Sequence, residues 1–440
     1  SCNWENFKKD IETMEFNLES EKKISIPFTT LTIFDSPDLQ KKASEIWVKQ
    51  FRTNNQKKNN FSKKNDKIRI AYISGDFRDH AVGNTIVGML ESHDKSNFET
   101  YGFYFGEDLD EKDLTHKKIV NTFDKFINIR LMTDTRVAEL FSELNIDIAV
   151  DLTTHTGSEN RFGIFIQRCA PIQVNFLGYP GTSGSKSIDY IIADKMVIPE
   201  KNQQFYSEKI VYLPNSYHPI EETKKISEKK FSRKELNLPE EKFVFCCFNS
   251  HQKITPEVYS IWINLLKKNS NSVLWLREYN SYSTKNLKME ASKRGLDEKR
   301  IIFAKRTPTI EEHLGRIKNA DLFLDTFPYT AHSTCTDVLR VGLPVITCVG
   351  ESFTSRVSAS FLNTMKLQEL ITTSFEEYEK LANKIVSDKN YLNNLKNKIM
   401  EKKLKSSLYD IKLFTKNLER AYLLMYEKYT KGEKVSNIEI

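Results

Sequence analysis

Along most of the chain, short apolar runs alternate with stretches in which apolar residues recur every three or four positions. The runs at 68–73, 101–105, 146–150, 172–177, 190–192 and 210–213 have the length of strands, and the intervening stretches read as helices. A lysine-rich stretch at 221–234 follows, and then the alternation restarts at 243–248, 272–276, 301–303, 322–324 and 345–348. Strands alternating with helices predict parallel sheets with crossover helices. Two such sheets are expected, each long enough to be doubly wound. Residues 1–50 hold no glycine and read as largely helical, and 52–66 read as a polar linker. Near the other end, Ile411, Phe414, Leu418, Tyr422 and Met425 fall at steps of three and four, which predicts one apolar helix face. The expected order is therefore a helical segment and linker (1–66), a first α/β domain (67–220), a linker (221–240), a second α/β domain (241–405) and a closing helix (406–440). Two tandem domains of this kind are expected to face a cleft lined by the C-terminal ends of their strands, where ligands of such folds bind.

Composition narrows the class. With 39% hydrophobic and 28% charged residues among 440, the chain reads as globular. It lacks an apolar run of the ~18 residues a membrane span needs, and its N-terminal residues do not form a signal-like apolar core. The net charge of +7 is spread with acidic residues interleaved, and no basic stripe with aromatics points to nucleic acid. The six cysteines show neither a CxxC pair nor metal-ligand spacing; most lie in apolar runs, as reduced core cysteines of a cytoplasmic protein would.

The chemistry is expected in loops that follow strands. In Asp321-Leu-Phe-Leu-Asp-Thr-Phe-Pro-Tyr-Thr-Ala-His-Ser-Thr-Cys-Thr-Asp337 a strand ends at Asp325, and Ser333, Thr334 and Thr336 precede a helical run. Hydroxyls there can cap a helix, and its free N–H groups can hold a phosphate. Asp337, a turn further in, could take ribose hydroxyls, and His332 adds a donor; an ordinary surface cap is the alternative. In Phe248-Asn-Ser-His-Gln-Lys253, before a helix with Thr255 as cap and Pro256 as first residue, Lys253 could neutralise a diphosphate leaving group. His80, in Ser74-Gly-Asp-Phe-Arg-Asp-His80, could serve as general base or as a donor to substrate. His155 and Arg161 follow the run ending at Val150, and Pro180 and Thr182 lie in the Gly/Pro loop 177–184, which suits close approach of a sugar or polymer. There is no GxxxxGK[ST] and no GxGxxG after the first strand. Asp108-Leu-Asp110 has the form of a metal-holding D-x-D, but beside Glu107 and Glu111 it reads as a solvated loop, so no metal is expected.

These loops, with Ala170-Pro-Ile-Gln173, Leu177-Gly-Tyr-Pro-Gly-Thr-Ser-Gly184, Asp189-Tyr-Ile-Ile192, Tyr206-Ser-Glu-Lys209, Asn271-Ser-Val-Leu-Trp-Leu276, Arg300-Ile-Ile-Phe303 and Gly350-Glu-Ser-Phe-Thr-Ser-Arg-Val-Ser-Ala-Ser360, resemble the catalytic region of the O-GlcNAc transferase family, glycosyltransferase family 41, over nearly the whole chain. The resemblance implies a GT-B fold of two Rossmann-like domains, the second holding the nucleotide. It implies inverting, metal-free transfer of N-acetylglucosamine from UDP-GlcNAc, a substrate and not a cofactor, to Ser or Thr of proteins. By position, Lys253 resembles the family lysine on the diphosphate. His332, Ser333 and Thr334 resemble the phosphate-binding helix start, with serine in place of threonine. Asp337 resembles the ribose carboxylate, His313 and Arg316 the uridine-side pair, and His80 the active-site histidine. Ser250 stands where animal members have Gln, and Asp147 where they have His; with His155 present instead, the resemblance leaves the proton acceptor open. The long insert of animal members is absent, and residues 1–50 resemble the join to upstream tetratricopeptide repeats that recruit acceptor proteins. Because the chain does not begin with Met, it is expected to be a catalytic core cut from such an array, or a short form. Competing expectations are a GDP-fucose or UDP-glucose donor, an Asn acceptor, or a non-catalytic nucleotide-sugar sensor. His332 favours UDP-GlcNAc, since the fucosyl members lack that histidine.

Overall fold

The computed structural model describes residues 2–51, 65–107, 113–157, 160–221 and 224–440. Asp108 and Asp110, and most of the 52–66 linker, lie outside the described residues. The chain divides into two compact units. One comprises residues 14–31, 36–222 and 409–440; the other comprises 1–13, 32–35 and 223–408.

In the first unit, β1 (Ile68–Ser74), β2 (Phe98–Tyr104), β3 (Lys125–Asn128), β4 (Ile148–Asp151), β5 (Ile172–Asn175), β6 (Tyr190–Ala193) and β7 (Lys209–Tyr212) form a sheet completed by the chain's last strand, β14 (Ile438–Glu439). The order is β14-β7-β6-β5-β4-β1-β2-β3, and every pairing is parallel. Burial on both faces explains the near-continuous apolar runs. Ile70, Tyr72, Val150 and Val174 face one core, and Ala71, Ile73, Tyr101 and Ala149 face the other.

The second unit holds β8 (Phe243–Cys247), β9 (Ser272–Arg277), β10 (Ile301–Ala304), β11 (Leu322–Leu324), β12 (Val345–Cys348) and β13 (Ile371–Thr372), in the order β10-β9-β8-β11-β12-β13, all parallel. Each sheet thus starts at its middle, runs outward, then returns to the other side of its first strand. Such a sheet has one topological switch point, where two adjacent strands send their connections to opposite faces and leave an open crevice between the loops. Here the switch points fall between β1 and β4 and between β8 and β11.

The helix Ile411–Thr430 buries Leu418, Tyr422 and Met425 against the first unit's sheet, with Ile411 and Phe414 partly buried beside them. A polar chain adds direction: Glu419 Oε1 lies 2.9 Å from His93 Nδ1, and His93 Nε2 lies 2.8 Å from the Tyr72 hydroxyl.

The N-terminal residues differ from the single leading segment the sequence predicts. Phe7–Glu19, Pro27–Ile33 and Pro37–Val48 are helical, but their contacts are split between the units. Trp4 lies 5.4 Å from the Tyr259 ring, and the Cys2 thiol donates to the His251 carbonyl at 3.4 Å. The Asp35 carboxylate accepts the Glu351 N–H at 2.9 Å and the Ser352 N–H at 2.9 Å. These side chains have partners in the second unit that a reading of local pattern does not reveal.

Candidate functional site

At the β8/β11 switch point, the loop after β8 and the loop after β11 are joined by a parallel bridge between Ile254 and Phe327. The turn His251–Lys253 carries Lys253 inward, where Nζ donates to the Thr330 carbonyl at 3.0 Å and lies 3.8 Å from the centre of the Tyr329 ring. Burial pushes the Lys253 ammonium down to about 8, against the opposing pull of Asp325. Ser250 opens the same turn, its carbonyl accepting the Lys253 N–H at 2.9 Å.

Asp325, which the sequence pattern marks only as the end of a strand, organises both loops. Its Oδ1 accepts the N–H groups of Thr326 at 2.8 Å and Ala331 at 2.7 Å, and its Oδ2 the Thr347 hydroxyl at 2.8 Å. Asn249 Nδ2 reaches Oδ1 at 3.2 Å, tying in the β8 loop. Its burial pushes the carboxyl pKa up, and these bonds oppose the shift. A charged residue directly after the apolar Leu-Phe-Leu strand is the sequence signal for it, since a carboxylate at a buried strand end needs donors.

The helix expected to begin near Asp337 begins a turn earlier, at Ser333, with His332 at its N-cap position. Ser333 and Thr334 are therefore in the first turn, and the side chain at the N-cap position makes no capping hydrogen bond. A helix start leaves its first N–H groups without intrahelical partners and carries the positive end of the dipole. His332 is 4.8 Å from the Tyr329 ring, so Lys253, Tyr329 and the helix start form one group.

Beside it, the helix Ile310–Ile317 presents His313 and Arg316. His313 packs edge-on against Phe248 at 5.2 Å, and Arg316 lies 5.8 Å from the same ring. Arg316 Nε and Nη2 point at His313 Nδ1 at 3.3 and 3.2 Å, so Nδ1 accepts and Nε2 carries the proton. Burial, then the neighbouring Arg316, pushes His313 down to about 4. Asp337 pairs with Lys224, Nζ to Oδ1 at 3.1 Å.

The residues expected in the first unit are gathered less closely. His80 follows β1 at the other switch point and caps the helix Ala81–Glu91, its Nδ1 accepting the Val82 N–H at 3.3 Å. With Nδ1 accepting that bond, a neutral His80 ring carries its proton on Nε2. His80 Nδ1 also lies 3.5 Å from Asp76 Oδ1, and burial lowers its pKa. His155, expected at the chemistry, is instead enclosed. Its ring packs against Tyr179 and Phe162, its Nε2 lies 2.7 Å from the Ser183 carbonyl, and burial pushes it down to about 4. It ties the 151–157 loop to the Gly/Pro loop. Thr182, also buried, donates to Glu208 Oε2 at 2.6 Å, and Pro180 is buried beside it. Arg161 spends its guanidinium on Asp134 (2.6 Å) and on the Ile129 and Met132 carbonyls at 3.1 and 2.7 Å. These contacts shape loops; in this structure they leave His155, Thr182 and Arg161 turned to the protein.

The model of Glycosyl transferase family 41 matches residues 44–230 and 222–418. A probable UDP-N-acetylglucosamine–peptide N-acetylglucosaminyltransferase SEC of Arabidopsis thaliana is 32% identical over 85% of this chain and 38% of its own length. A probable transferase of the same description, SPINDLY of Petunia hybrida, is 29% identical over 90% of this chain and 43% of its own. The chain thus spans about two fifths of the curated relatives it matches. Among solved structures, a mutant of Thermobaculum terrenum O-GlcNAc transferase superposes with a TM-score of 0.80 at 26% identity, covering 90% of this chain and 75% of that one.

Proposed function

The chain belongs to glycosyl transferase family 41, and on that premise we propose that it moves N-acetylglucosamine from UDP-GlcNAc to Ser or Thr hydroxyls of proteins, with inversion and without a metal. The observation that carries this reading is the buried Lys253 beside a helix start at the switch point of a doubly wound sheet. In the reaction the acceptor oxygen attacks the anomeric carbon on the face opposite the diphosphate. The bond from that carbon to the phosphate oxygen breaks, and UDP leaves with the electron pair. Charge grows on the diphosphate as the bond stretches, and preorganised donors there act most in the transition state. Lys253 supplies the full positive charge, and the N–H groups of Ser333 and Thr334 supply dipoles that need no reorganisation. His313, as an Nε2–H donor, and Asp337 address the nucleoside, with Ser250 and His332 at the sugar and phosphate side. His80 acts as a donor through Nε2–H. The group that takes the acceptor proton is not assigned.

Acceptor proteins are taken to be recruited by helical repeats upstream in the full protein. A cytoplasmic setting suits six cysteines that are all buried and unpaired; no helix of the described residues is long and apolar enough to cross a membrane. The reading is tested by competition binding: UDP should bind and GDP should not compete at similar concentration. Preferential GDP binding would reject the UDP-sugar donor.

A further inference from the structure

Lys224 belongs to the lysine-rich stretch that the sequence reads as a linker, yet its side chain is largely buried, with Nζ 3.1 Å from Asp337 Oδ1. The residues after it lie along the helix Ile310–Ile317. The Ser227 N–H donates to the Glu311 carbonyl at 3.0 Å. A Cβ added at Gly315 would come within 3.2 Å of the Phe231 ring and 3.4 Å of Ser227 Cβ, so the stretch after Lys224 packs closely on this helix. The same helix carries His313 and Arg316. Arg316 is already committed to His313 Nδ1 and to the Lys305 carbonyl, which leaves Lys224 as the cation that addresses Asp337.

A carboxylate offers about four lone-pair sites. Lys224 engages one oxygen of Asp337, and the other can accept hydroxyl protons. A buried carboxylate with no cation would be costly and would turn to whatever donor it could reach. Resting on the donor-site reading above, we propose that Lys224 is a positioning residue for the donor nucleoside: it pins the Asp337 carboxylate so that its second oxygen meets the ribose hydroxyls, and so sets the preference for a ribonucleotide.

The test compares dissociation constants of UDP and of 2′,3′-dideoxy-UDP, which lacks both hydroxyls, for the wild-type chain, Lys224→Met, Lys224→Arg and Asp337→Asn. Hydrogen bonds to a charged group support a wild-type preference for UDP of about tenfold or more. Lys224→Met should weaken UDP until that preference nearly vanishes, while dideoxy-UDP binding stays within about twofold, which also shows that the variant is folded. Lys224→Arg should restore part of the preference, and Asp337→Asn should abolish it. An unchanged ratio in Lys224→Met would reduce Lys224 to a structural strap and overturn the proposal. Tighter UDP binding in that variant would overturn it too, by showing that the lysine competes with ribose. A wild-type chain that binds neither nucleotide would instead sink the donor-site reading on which the proposal stands.

Discussion

Burial holds the Lys253 ammonium near a pKa of about 8, inside the range where enzymes are assayed. The free protein therefore carries the charge below about pH 8 and loses it above. A bound diphosphate favours the charged form and raises that pKa, so the two kinetic constants should separate. kcat/KM for the donor is expected to fall as pH rises through about 8, while kcat holds to higher pH. Lys253→Arg keeps its charge throughout and should lose the alkaline limb, with lower turnover because a guanidinium must fit where Nζ sits 3.8 Å from the Tyr329 ring centre. Lys253→Ala should lower turnover on the order of a hundredfold, with a smaller loss in UDP affinity. A pH–rate series on the three proteins checks this; an alkaline limb unchanged in the arginine variant would assign it to another group. Lys253 was legible in the sequence because it stands where a strand gives way to a helix. Thr330, whose carbonyl receives it, and Asp325, which shapes the loop, were not, since a long-range hydrogen bond leaves no periodic trace.

At the scale of elements, the closing helix gives a clean test of packing. Leu418 is fully buried in the first unit's core while Lys416 on the same helix is exposed. Leu418→Ala should cost about 2–5 kcal/mol, and Lys416→Ala should stay within about 0.5 kcal/mol, both read from denaturant midpoints. Equal effects would mean the helix does not pack as described. The stripe was visible in sequence because helical periodicity survives in a long helix with one buried face. β3 was missed because Lys125–Asn128 is half exposed and reads Lys-Phe-Ile-Asn, too short and polar to stand out. The helix start at Ser333 was placed late because Ser and Thr signal a cap, whereas here they fill the first turn and the cap position belongs to His332. The two switch points were out of reach altogether: strand order depends on which strands pair, and pairing is not written in any single segment.

At the scale of the molecule, the proposed stabilisation of the leaving diphosphate belongs to Lys253 and a helix start, so activity should survive EDTA. Among the described residues no three His, Cys, Asp or Glu side chains gather as a metal-ligand set. Loss in EDTA with rescue by manganese or magnesium would return attention to Asp108 and Asp110. If acceptors are recruited by upstream repeats, adding that segment should raise kcat/KM on proteins far more than on short peptides, because it acts by effective concentration and not on the chemical step. An unchanged protein-to-peptide ratio would count against recruitment. All of this presupposes the transfer itself. The chain, incubated with UDP-GlcNAc, a Ser/Thr peptide and EDTA, should yield peptide carrying one N-acetylhexosamine on a hydroxyl oxygen, located by fragment mass spectrometry, and Lys253→Ala should yield far less. Peptide left unmodified by UDP-GlcNAc but fucosylated from GDP-fucose, or sugar found on an Asn side chain, would contradict the proposed reaction.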